Sequence, residues 1–216
     1  GGPTVKRFIV VLVAALVLVG MIPPAPAGQI PSHVYVAAKY ASSMPDPLWG
    51  LIAGNRDLYI MGCQGPDIAG LSGEIEGIAT VGRQNYGTEA HYERTGTLAL
   101  WLLMRAKTQR EFAFAVGWIT HYLNDIHIHA VVNSYGGFYG AGSEAKARHK
   151  ALEMLETKHI FADPALFPVV SNYDFNRIPA NVDRDIQQLL YEAYRDLYGD
   201  KYQGSNVRTD FGLYLK

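Results

Sequence analysis

The stretch "GWITHYLNDIHIHAVVN", residues 117–133, decides how this chain is read. It places His121, Asp125, His127 and His129 in an otherwise apolar run. His121, Asp125 and His129 stand at i, i+4 and i+8. At about 100° per residue they form one stripe on one helix face, and His127 lies well round from it. Burying imidazole and carboxylate is costly unless they are paired or bound to metal. The stripe therefore reads either as a hydrogen-bonded core pair or as ligands converging on divalent cations.

Working outward, the flanking sequence is helical throughout. Thr108 and Glu111 make a capping box that opens the stripe helix, which is predicted to run to about Val132. "NSYGGFYGAG" then breaks it, and Ser143 is expected to cap "EAKARHKALEMLETKH". On the N-terminal side, Thr88 precedes "EAHYERTGTLALWLLMRAK", read as one helix with His91 in its first turn. Gly62 to Pro66 reads as a turn, with Asp67 just after it. Asp46-Pro47 opens a short helix, and Ser32 is placed as the cap of "HVYVAAKYA", with His33 next to it. After an irregular Pro-containing stretch, Asn181 starts an amphipathic helix carrying Val182, Ile186, Leu189, Leu190, Ala193 and Leu197, which Gly199 ends. Strand alternation is scarce. The expected fold class is all-α, a single helical domain over residues 28–216.

Residues 1–27 read as a signal peptide. Lys6 and Arg7 precede an apolar run from Phe8 to about Ile22, and Ala25-Pro26-Ala27 supplies a small-residue cleavage site. The run is short for a membrane span. A secreted or periplasmic protein follows, or an anchored one if the leader is retained. The chain has 19 basic residues, among them Lys6 and Arg7, against 20 acidic ones. Without the leader the remainder is mildly acidic, which gives no electrostatic case for duplex nucleic acid. Cys63 is the single cysteine, so no intramolecular disulfide forms. It reads as a small buried residue.

A second i, i+4 pair, His149 and Glu153 in "RHKALE", matches the first in kind. Each candidate has an ordinary reading: His149 and Glu153 as a surface pair, His91 and His33 as capping or surface histidines, Asp67 as part of a turn. His127 and His159 read as structural or surface. Trp49, Trp101 and Trp118 read as core or interface aromatics. Taken jointly, five histidines, two aspartates and a glutamate on separate helices and one loop are what a bundle needs to build metal sites from inward-facing side chains.

The order His33, Gly65-Pro66-Asp67, His91, His121-x3-Asp125-x3-His129 and His149-x3-Glu153 resembles the zinc-dependent phospholipase C family. That family shares an all-helical, trinuclear-zinc fold with single-strand zinc nucleases. The resemblance implies three zinc ions. Asp67, His91, His121 and Asp125 would surround one. Asp125 would bridge to a second, held by His33 and the mature N-terminus, here Gly28. His129, His149 and Glu153 would hold the third. Familiar members begin with Trp rather than Gly, and the Asp125–His129 interval is shorter than in the bacillus-type enzyme. It is closer to that of the glycosylphosphatidylinositol phospholipase D branch.

Zinc with nitrogen and oxygen ligands suits phosphodiester hydrolysis, because it neutralises phosphate charge and activates water. By the same resemblance Asp67 would orient or deprotonate that water. The implied function is phospholipase C-like cleavage of phospholipid head groups, and transient contact with a membrane surface is compatible with it. A zinc nuclease or nucleotidase on the same scaffold, and a non-catalytic zinc-stabilised domain, stand as alternatives. Tyr135, Phe138 and Tyr139 in the glycine-rich loop are candidates to face a choline-type head group or a base, or else belong to a plain connector.

Overall fold

The computed structural model describes residues 30–75, 90–91, 93–171 and 184–199. The leader, Gly28, Thr88, Asn181 and Val182 lie outside them. The described elements are α1 (Ile30–Ser43), α2 (Asp46–Ile52), a 3-10 turn (Ala53–Asn55), α3 (Arg56–Ile75), α4 (Thr95–Arg105), α5 (Gln109–Gly136), α6 (Ser143–Ala162), α7 (Phe167–Ser171) and α8 (Arg184–Tyr198). Among the described residues there is no strand, and the all-α expectation holds.

The chain divides into two compact units, residues 1–54 with 123–170 and residues 55–122 with 171–216. α5 contributes its first half to the second unit and its second half to the first. Its start is the expected capping box. The Thr108 hydroxyl accepts from the Glu111 amide at 3.1 Å, and Glu111 Oε2 accepts from the Thr108 amide at 2.9 Å. Its end is later than expected. The helix runs on to Gly136, and Gly137 at φ 85° turns the chain out.

In the unit of residues 55–122 the largest departure from expectation is at Gly62–Pro66. This stretch is not a turn. α3 passes straight through it with Pro66 inside the helix. The glycines serve packing instead. A Cβ on Gly62 would sit 2.0 Å from the Phe114 carbonyl oxygen, and one on Gly65 would sit 2.3 Å from the Trp118 ring. From the other side, a Cβ on Gly117 would sit 2.0 Å from the Tyr59 carbonyl oxygen. α3 and α5 thus touch backbone to backbone, and Trp118, Tyr59 and Phe114 are fully buried around the crossing.

The predicted helix from Glu89 to Lys107 is broken. Ala90 and His91 are helical, Glu93 and Arg94 are not, and α4 starts at Thr95. Arg94 takes the left-handed φ of 52°. Long-range contacts hold the break: the Arg94 guanidinium donates to the Leu197 carbonyl at 2.6 Å, and the Tyr198 hydroxyl donates to the Glu93 carbonyl at 2.6 Å. α8 packs on α4 through Ile186, Leu189, Leu190, Ala193 and Tyr194. Gly199 at φ 78° ends it, as expected.

In the unit of residues 1–54 and 123–170, α1 packs on α6. Ser32 is not a cap: it lies inside α1 and is fully buried. Ser143 is the first residue of α6 rather than its cap, which is Gly142 at φ 124°. α2 begins one residue early, with Asp46 in its first turn and Pro45 before it.

Candidate metal centre

The stripe on α5 is continuous, so His121, Asp125 and His129 share a face at one-turn intervals. In the unit of residues 55–122, His121 is 1% exposed and its Nδ1–H donates to the Cys63 carbonyl of α3 at 2.8 Å. A carbonyl has two lone pairs, so Cys63 can serve this imidazole beside its helical partner. With Nδ1 carrying the proton, Nε2 carries the lone pair. That lone pair faces His91 Nε2 at 3.2 Å. His91 Nε2 in turn lies 3.1 Å from Asp67 Oδ1. Two imidazole nitrogens and a carboxylate oxygen thus converge. Asp67 reaches this point from a helix, not from a turn, with the tight α3–α5 crossing beneath it.

In the other unit, His33 is 1% exposed on α1. Its Nε2 lies 3.5 Å from Asp125 Oδ1, and its Nδ1 pairs with the Asn124 side-chain amide at 2.9 Å. A 180° turn of that amide exchanges donor for acceptor. With the oxygen inward, His33 Nδ1 donates and Nε2 is left with the lone pair that a metal requires.

A third group lies between α5 and α6. His149 Nε2 is 3.0 Å and His129 Nε2 is 3.6 Å from the same oxygen, Glu153 Oε1. The three ligand atoms lie within 4.8 Å of one another. Gly136 lets the helices approach, since a Cβ there would meet the His149 amide nitrogen at 3.1 Å. Each group brings the imidazole and carboxylate donors that suit zinc, aimed at a common point by partially or fully buried side chains. His127 stands apart, as expected, donating from Nδ1 to the Leu123 carbonyl at 2.7 Å. Cys63 is fully buried. Gly28 lies outside the described residues.

Three features were not anticipated from the sequence: the Cys63 carbonyl, Asn124, and a buried carboxyl at Glu156. Asn124 had one visible signal, a polar residue inside an apolar run. Glu156 is three residues beyond Glu153 on α6. Burial pushes its carboxyl up to about 9, the nearby Ser32 hydroxyl on α1 pulls it down, and Glu153 pushes it up. Above the ordinary value of 4.5 the unfolded chain releases this proton and the folded chain keeps it. Stability present below pH 4.5 is therefore lost progressively as pH rises to about 9. The one proton of difference sets that slope at no more than about 1.4 kcal/mol per pH unit. Glu156→Gln is expected to remove that slope, read as urea midpoints for both proteins between pH 5 and pH 9. Parallel curves would refute the assignment.

The aromatic loop is differently placed from expectation in one respect. Tyr139 already holds an internal cation, the Lys146 ammonium at 4.9 Å from its ring centroid, and its ring lies T-shaped to that of His149 with centroids 5.3 Å apart. Tyr135 and Phe138 are exposed.

No curated protein and no solved structure matches the chain. The family model described as zinc dependent phospholipase C matches residues 32–203. That span takes in every described residue of the three donor groups, and the chain belongs to the zinc-dependent phospholipase C family.

Proposed function

We propose that the chain is a secreted zinc-dependent phosphodiester hydrolase that cleaves phospholipid head groups with an activated water. The observation that carries this reading is the meeting of His121 Nε2 with His91 Nε2 and Asp67 Oδ1. The Cys63 carbonyl accepts a hydrogen bond from His121 Nδ1–H, which leaves Nε2 to present its lone pair there. Asp67, His91 and His121 would hold one zinc ion. Asp125 and His33, both in the other unit, would hold a second. His129, His149 and Glu153 would hold the third.

Bound zinc supplies charge to neutralise the phosphate and to acidify water toward neutral pH. The remaining work belongs to the chain. Asp67 is the carboxylate available to orient a water and accept its proton. Cys63 fixes the His121 imidazole beside it, and Asn124 fixes that of His33 in the other unit. Tyr135, in the last turn of α5, and Phe138, on the loop after it, present open rings. The Tyr139 face is filled by Lys146, which argues against that ring as a choline contact.

Secretion belongs to the same reading. The family match begins at residue 32, just past the leader-like segment. Intact mass of protein from a secreting host is expected to start at Gly28, and a retained leader would favour an anchored form.

The deciding experiment measures zinc by elemental analysis, with hydrolysis of a phosphocholine ester and of single-stranded DNA on the same sample. Two to three ions per chain with ester hydrolysis is the expected result. Hydrolysis of DNA alone would move the protein to the nuclease alternative. Stoichiometric zinc without either activity would leave a structural metal domain, and no zinc would refute the reading.

A further inference from the structure

We propose that the outer face of α4 is a docking surface for an anionic lipid bilayer. α4 is apolar on both sides. Leu98, Ala99, Leu102 and Leu103 face the interior of their unit. Leu100 and Met104, one turn apart on the other side, are 50% and 75% exposed. Trp101 lies beside them, partly exposed. A surface helix ordinarily carries polar residues along this strip. Here an aliphatic, a tryptophan and a methionine form one continuous edge.

Basic residues rim that edge. Arg105, Lys107 and Arg110 are all exposed. The Arg105 guanidinium lies 5.5 Å from the centroid of the Trp101 ring. The nearby Glu111 is buried, and its Oε2 accepts from the Lys107 and Thr108 amides. The cluster is a local departure in a chain whose formal net charge is −1. Tryptophan with aliphatics on one side and arginine and lysine at the margin is the chemistry of a headgroup boundary. A protein partner is less well matched, because Arg105 and Lys107, exposed at the rim of so small an apolar strip, gain most from a dense anionic surface. α4 has 11 residues, and among the described residues no helix is long and apolar enough to cross a membrane. The helix therefore lies on the bilayer rather than through it.

This surface deepens the hydrolase reading by bringing the chain to lipid, and it rests on that reading for its use but not for its measurement. The test is cosedimentation of the full chain with vesicles of phosphatidylcholine, with and without phosphatidylserine. The expected result is salt-sensitive binding that is stronger with phosphatidylserine. The double variant Leu100→Glu, Met104→Glu should lower the partition coefficient at least about tenfold on both vesicles. Arg105→Gln with Lys107→Gln should lower it about fivefold or more on phosphatidylserine vesicles only.

Hydrolysis of a water-soluble phosphocholine ester by both variants should stay within about twofold of the parent. Parent protein that ignores vesicles, or a double variant that binds them as the parent does, overturns the docking surface. A parent dimer that the glutamates dissociate, without vesicle binding, assigns the face to a second copy and also overturns it. Vesicle binding without ester hydrolysis refutes the catalytic reading and leaves the docking surface standing.

Discussion

Replacing His121 by alanine is expected to lower ester hydrolysis by at least about 10³-fold, because in the proposed mechanism several kcal/mol of charge stabilisation depends on the metal it would hold. Zinc content should fall by about one ion per chain. His121 is the residue through which α3 and α5 act together: its Nδ1 is committed to the Cys63 carbonyl and its Nε2 to the point shared with His91 and Asp67. Alanine removes the ligand and leaves a buried carbonyl one bond poorer. His121→Asn is the informative companion, since it keeps a polar group near Cys63 and should recover folding without recovering zinc. Wild-type zinc stoichiometry in either variant would show that His91 and Asp67 converge for another reason.

The second large effect is on stability. Gly117→Ala is expected to cost about 3 kcal/mol or more. The added carbon would stand 2.0 Å from the Tyr59 oxygen and 2.8 Å from the Cys63 nitrogen. Both obstacles are backbone, so no side chain can swing aside, and α3 and α5 must separate. For a chain of this size the midpoint of thermal unfolding should fall by roughly 10 °C. Gly62→Ala presses on the same crossing and should not add independently to Gly117→Ala. Gly50 is the control. Nothing lies within 4 Å of a Cβ there, so alanine should hold or raise the midpoint by helix propensity alone. Equal midpoints for Gly50→Ala and Gly117→Ala would refute the close crossing.

The stripe of His121, Asp125 and His129 was legible because helical periodicity is a local property: three residues four apart share a face whatever packs against them. The capping box at Thr108 was legible for the same reason. What failed locally was decided at long range. "GCQGPD" carries every short-range sign of a turn, yet α3 runs through it because glycine is needed where α5 approaches. The residues around Arg94 look helical, and the break is held by Leu197 and Tyr198 about a hundred positions away. Ser32 has the composition of a cap, and its burial against α6 follows from the packing of α1. Asn124 and the Cys63 carbonyl orient imidazoles, and a backbone carbonyl has no signature in sequence at all.

The unbroken course of α5 sets a rule for how this chain can change length. One residue inserted between Asp125 and His129 would turn everything beyond it by about 100° and advance it by 1.5 Å. His129 would then leave Glu153 while Asp125 kept its place beside His33, so the two donor groups of that unit would fall out of phase. Seven inserted residues return the face to within about 20° but carry His129 some 10 Å further along the axis. Neither change spares both groups. Insertions and deletions are therefore confined to connectors such as residues 137–142, where the chain turns through glycine, and α5 acts as a ruler whose divisions cannot be redrawn one at a time.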